Sequence, residues 1–126
     1  MKSKELIKLY KENQLVKTIA ASIKPYEGNN IRLKGLAGSL DALVSASTYG
    51  INYQNHLFIL HEKEDAAYFF NDLQNLMESK EILFFPTSYK RPYQFEETEN
   101  ANILMRADIL NKINHNASTG ELIVTY

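Results

Sequence analysis

Two unbroken apolar runs of strand length, "NHLFILHE" at residues 55–62 and "EILFFPTS" at 81–88, constrain the fold more than any other feature. A strand with one wet face alternates apolar and polar residues, whereas a continuous run marks a strand covered on both faces, the habit of parallel sheets. Between the runs the period changes. In "EDAAYFFNDLQNLM", Ala66, Phe69, Phe70, Leu73, Leu76 and Met77 fall at i, i+3, i+4, i+7, i+10 and i+11, the stripe of an amphipathic helix. Strand, helix, strand in that order implies a crossover connection, and such crossovers are right-handed in about 98% of cases.

The pattern extends in both directions. Residues 31–35, "IRLKG", alternate and predict a strand, and Leu40, Leu43, Val44 and Ser47 then predict a helix closed by Gly50 with Asn52. After Pro86 comes a polar, tyrosine-bearing loop, then a helix over about 97–114 with Ile103, Ala107, Leu110 and Ile113 inward. "HNASTG" turns the chain into a last strand, "ELIVTY". Near the N-terminus two helices are expected, one burying Leu6, Ile7 and Tyr10 and the other Leu15, Ile19 and Ile23, with Pro25 and "YEGNN" ending them. The reading is an α/β chain with a parallel sheet and flanking crossover helices over residues 29–126, preceded by a helical extension over 1–28.

Composition narrows what such a chain can do. With 126 residues and 44% hydrophobic content it can bury the core of one domain. Fourteen basic against fifteen acidic residues give a formal charge of -1, so bulk electrostatics offer no reason to bind nucleic acid or an anionic membrane. Cysteine is absent, which excludes disulfides and thiolate metal sites. "MKSKELIKLYKENQ" lacks the apolar core of a secretory signal, and no run approaches the roughly 18 apolar residues of a membrane span. A cytoplasmic location is the expectation. The chain stops in an apolar, β-branched run with no polar tail, which suggests a piece of a longer protein.

"IRLKGLAGSLDALVSAS", residues 31–47, has the layout of a phosphate-binding loop without its chemistry. In a working loop, G-x-x-x-x-G-K-[ST], backbone amides cradle the phosphates, the lysine neutralises them and the hydroxyl holds magnesium. Gly35 matches the first glycine, but Leu40, Asp41 and Ala42 stand at the second glycine, the lysine and the hydroxyl. Asp41 reverses a charge facing a polyanion, a contact of several kcal/mol at about 4 Å and surface dielectric. Nucleotide binding should be abolished. Ser39 is suited to cap the helix and Asp41 to meet its dipole, so the protein's own carboxylate would fill the niche of a phosphate. The other reading is a Gly-rich strand-to-helix turn with no nucleotide past.

The remaining candidates are weaker. His56, His61 and His115 show no metal-ligand spacing, so no metal or cofactor is expected in this segment. Ser45, Ser47 and Thr48 lack the G-x-S-x-G frame of a nucleophile and suit helix packing. The acidic "FEETE" at 95–99 suits a solvated first helical turn, and "NAS" at 116–118 means nothing without a secretory route. "YKRPY" at 89–93 is the best binding candidate: Lys90 and Arg91 interleaved with Tyr89 and Tyr93 suit phosphate contact or stacking, or else an exposed basic turn.

"LKGLAGSLDALVSAS", then "HLFILHEKEDAAYFFNDLQNL", "ILFFPTSYKRPYQF", "RADILNKI" and "GELIVTY" resemble, in order and spacing, the extreme N-terminus of bacterial transcription-repair coupling factors. That module is similar to the UvrB protein of nucleotide excision repair, a P-loop NTPase and helicase-like fold, with its nucleotide site lost. UvrB's loop resembles "GVTGSGKT", so Gly35, Gly38 and Ser39 are kept here while Leu40, Asp41 and Ala42 depart. The resemblance spans about residues 30–126 and implies a non-catalytic scaffold within a large ATP-driven DNA translocase. It further implies that ATP and magnesium act in distant motor domains. UvrA, stalled RNA polymerase and double-stranded DNA would be met through the whole protein, with intramolecular contacts to its other domains. No binding or catalytic residue of the family transfers to this segment. From the residues alone, the alternative is a small stand-alone, flavodoxin-like ligand-binding domain or enzyme.

Overall fold

The computed structural model describes residues 2–87, 98–115 and 120–126. Among them are five α-helices and a three-stranded parallel sheet, so the class is α/β. In chain order these are α1 (Ser3–Glu12), α2 (Gln14–Ser22), α3 (Leu40–Asn52), β1 (His56–Ile59), α4 (Lys63–Leu76), β2 (Ile82–Phe84), α5 (Thr98–His115) and β3 (Leu122–Thr125). Strand order is β1-β3-β2, with His56 and Ile82 both in register with Leu122 and with Phe58 and Phe84 both opposite Val124. The ladder continues past the strand ends. Asn55 Oδ1 accepts from the Glu121 amide at 2.7 Å, and the His56 amide donates to the Glu121 carbonyl at 2.8 Å.

Register sorts the sheet into two faces, because partners in a parallel ladder point the same way. Phe58, Leu122, Val124, Ile82 and Phe84 pack with α3 and α4 in one core that includes Ala42, Ala46, Tyr49, Ala66, Phe69 and Leu73. The α4 stripe lies where its period puts it, with Ala66 and Leu73 wholly buried. Helix α3 is buried nearly all round, being packed by α1 and α2 on one side and by α4 on another. Small residues make that possible: Ala42, Ala46 and Ser47 are fully buried. Val16 and Ala20 of α2 are buried too, so the two N-terminal helices pack on α3. Leu15, expected on that face, points outward at 74% exposure.

Helix α5 lies along β2 on the other face. Arg106 places its guanidinium 4.3 Å from the Phe85 ring centroid and donates to the Pro86 carbonyl at 2.8 Å, while Lys112 reaches Glu81 at 2.7 Å. Glu81 and Asp108 beside Lys112 hold its ammonium above the ordinary lysine range. Its inward line is therefore Asn102, Arg106, Ile109 and Ile113: Ile113 lies inward as expected, while Ile103, Ala107 and Leu110 face outward and the residue before each takes the inward place.

Two further expectations fail. Residues 31–35 form no strand: Ile31 and Leu33 are 46% and 45% exposed, Gly35 turns at φ 81°, and among the described residues the segment pairs with none of β1, β2 or β3. An alternating pattern gains nothing without a partner strand. Nor is β1 covered on both faces, since Leu57 and Ile59 point outward and are exposed where, among the described residues, no helix packs on them. Helix α3 does end at Asn52 as expected, with Gly50 inside its last turn and Tyr53 in the left-handed region at φ 51° stopping it.

Candidate functional site

The loop before α3 is the site the sequence singles out, and its geometry follows from its ends. Gly35 and Gly38 adopt positive φ of 81° and 58°, conformations that side chains disfavour, and a turn at Gly38–Ser39, closed by the Leu40 amide on the Ala37 carbonyl at 3.3 Å, leads into the helix. Residues 31–39 are exposed. With no strand feeding it, the loop lacks the rigid base from which a phosphate cradle projects its amides.

At the helix entrance the expected division of labour is reversed. Ser39 occupies the N-cap position but makes no side-chain cap hydrogen bond. Instead Asp41 Oδ1 accepts from the Ala42 amide at 2.7 Å, so a carboxylate within the first turn satisfies a free donor at the positive end of the helix. Leu40 lines a cavity of about 350 Å³ with Leu6, Leu43, Asp72, Asn75 and Leu76, beside the last turn of α4. Ala42 belongs to the hydrophobic core. A hydroxyl in its place would face that core and not a metal above the loop. The substituted positions thus serve the fold: Leu40 packs on helices, Asp41 caps, and Ala42 lets α3 sit close to α4.

The second sequence candidate, Lys90, Arg91 and Tyr93, lies outside the described residues, as do residues 95–97 of the acidic run and the "NAS" segment. The histidines do not converge. His61 and His115 are exposed, and His115 Nδ1 sits 2.8 Å from its own helix's Asn111 carbonyl. His56 Nε2 lies 3.0 Å from Asn52 Oδ1, and since that oxygen only accepts, the imidazole donates. Its ring packs edge-on to Tyr49, and burial holds its pKa below the ordinary 6.5. Among the described residues no three acidic or imidazole side chains gather as a metal site. Ser47 and Thr48 are buried in α3 with no partner for their hydroxyls among the described residues, as packing residues and not nucleophiles.

No family model matches the chain, and no curated protein or solved structure is significantly similar to it. Chemistry must therefore be read from the side chains. Among the described residues no helix is long and apolar enough to cross a membrane.

The sequence reading missed a polar cluster at the amino end of β3. Glu121, 5% exposed, takes the Lys80 ammonium at 3.2 Å; Lys80 lies 5.8 Å from the Tyr49 ring centroid, and the Tyr49 hydroxyl donates to the Gly120 carbonyl at 2.8 Å. The one available signal was a charged residue, Glu121, directly abutting a buried strand. Its partners lie 41 and 71 residues away from the groups they meet, at a range no local pattern reports.

Proposed function

We propose that this chain is a non-catalytic scaffold, the N-terminal UvrB-like segment of a bacterial transcription-repair coupling factor. The observation that carries the reading is the Asp41 carboxylate bonded to the Ala42 amide, in a Gly-containing loop whose sequence keeps the frame of a phosphate cradle and none of its cation, hydroxyl or second glycine. A group already satisfying the helix N-terminus competes with any phosphate for the same donors and repels it. The part played is positional: the segment supports the module that docks UvrA, or holds that module against the rest of the protein until polymerase or DNA releases it. Hydrolysis of ATP with magnesium, and contact with RNA polymerase and duplex DNA, would belong to other parts of the parent.

The test is calorimetric titration of the chain with magnesium-ATP. No saturable heat is expected, in the wild type or in Asp41→Lys, because the latter restores a charge but neither the strand nor the hydroxyl. Micromolar binding by the wild type would end the reading. Sequencing the parent gene gives a second check, since helicase motifs downstream in a reading frame of about a thousand codons are expected.

A further inference from the structure

Beneath α1, on the side away from the Gly-containing loop, lies a cavity of about 610 Å³ bounded by α1, the second half of α3 and the α4–β2 turn. Its floor is apolar and aromatic, with Ile7, Ala46, Tyr49, Leu76 and Met77. Its walls are cationic. Lys4, Lys8, Lys11 and Lys80 line it, against Glu78 as the one carboxylate among the lining residues.

These lysines are arranged and not scattered. Lys4, Lys8 and Lys11 follow i, i+4, i+7 and so share one face of α1, where like charges oppose helix formation. Among the described residues no carboxylate lies within ion-pair distance of any of the three. Lys11 folds flat over Gly50: a Cβ there would collide with its Cε, so this glycine inside a helix is what lets the ammonium rest against the last turn of α3. Lys80 is fixed from the other side by Glu121, beside the ring of Tyr49, itself anchored on Gly120. Pocket sites of several hundred Å³ that combine an apolar floor with a few convergent charged groups are the usual form of a small-molecule site.

We propose that this cavity binds a small oxyanion carried on a flat apolar body, a phosphate monoester or a carboxylate, with the body on Tyr49 and Met77 and the anion reaching the lysines of α1. The proposal stands apart from the repair-factor reading and uses none of its residues. Glu12, one turn on from Lys8 but paired with Lys17 at 2.9 Å, offsets the repulsion along α1 only in part, and a bound anion relieves the rest, so ligand and helix stabilise one another.

The experiment is an amide NMR titration of the full chain with naphthyl phosphate, naphthoate and the neutral naphthalene methanol. Both anions should saturate with shifts at Lys8, Gly50, Tyr53 and Met77, and the neutral analogue should bind at least about tenfold more weakly, as expected where charge complementarity selects the ligand. Whichever anion binds tighter assigns the headgroup. Lys8→Glu, at an exposed rim position, should weaken both anions about tenfold by reversing one charge in a partly screened site. Gly50→Ala should weaken them several-fold by dislodging Lys11 without lowering the melting temperature, because alanine favours the helix. Equal affinity for the neutral analogue, anion affinity unchanged in Lys8→Glu, or shifts confined to Ile103, Leu104 and Leu110 would each overturn the proposal.

Discussion

The two faces of one sheet are built to different standards. On the inner face, side chains from β1, β2 and β3 meet α3 and α4, and Leu73, Leu122, Val124, Ala42 and Ala46 lose all contact with solvent. On the outer face, α5 covers the β2 side, with Ile109 buried, while Leu57 and Ile59 of β1 stand 58% and 71% exposed. Ion pairs and an arginine over a ring hold α5, and several of its large apolar residues, Ile103, Leu104, Met105 and Leu110, look outward. Stability in this chain is thus concentrated on the inner face, and the outer one tolerates change.

The sharpest test of that contrast is Leu73→Ala against Leu104→Ala. Removing a fully buried leucine should cost about 3 kcal/mol by urea denaturation, whereas the exposed one should stay within about 0.5 kcal/mol; equal effects would erase the distinction. Ile109→Ala should fall between, at about 2 kcal/mol, since the contacts it loses are on the thinly covered side and the site can collapse. A value matching Leu73→Ala would show α5 packed as tightly as α4.

Smaller effects refine the inner face. His56, held neutral by burial, has a folded pKa below its ordinary 6.5, so the unfolded chain binds its proton first. Stability is complete above about pH 6.5 and declines as pH falls from there towards the folded pKa. Thermal unfolding between pH 7.5 and 5.5 should show that decline, and His56→Gln, which cannot titrate, should flatten it. Last, Ser47→Ala should be neutral or stabilising by up to about 1 kcal/mol, since the hydroxyl is buried without a partner among the described residues. A loss above that range would mean the hydroxyl has work that the described contacts do not reveal.

What the sequence disclosed follows the same division. The α4 stripe and the positions of the strands were legible because inner-face residues are apolar on the side they bury, but an unbroken apolar run overstated the cover of β1, whose Leu57 and Ile59 face outward and are exposed. Helix α5 was not, because apolar residues lie all round it. Ile103, Ala107 and Leu110 make as good a 3.6-residue line as Arg106, Ile109 and Ile113, and the choice falls to Arg106 on Phe85 and Lys112 on Glu81. Those contacts join residues 31 apart in the case of Lys112, beyond any local pattern. Residues 31–35 misled for a related reason: alternation says which side chains would share a face, and not whether a neighbouring strand exists. At the loop, the substitutions at Leu40, Asp41 and Ala42 were readable one by one, but the exchange of capping duty from Ser39 to Asp41 was not. Gly50 read as a stop signal, when its missing side chain makes room for Lys11.

The placing of β3 between β1 and β2 also has a consequence in time. Among the described residues β1 and β2 do not pair with each other; each is hydrogen-bonded to β3, a strand synthesised after both, and Asn55 waits 66 residues for its partner at Glu121. A growing chain therefore emerges with its helices able to condense around α3 but with its two earlier strands unjoined, and the arrival of β3 closes the sheet like a keystone. Amide protection in β1 and in β2 should accordingly appear together, late and in one step.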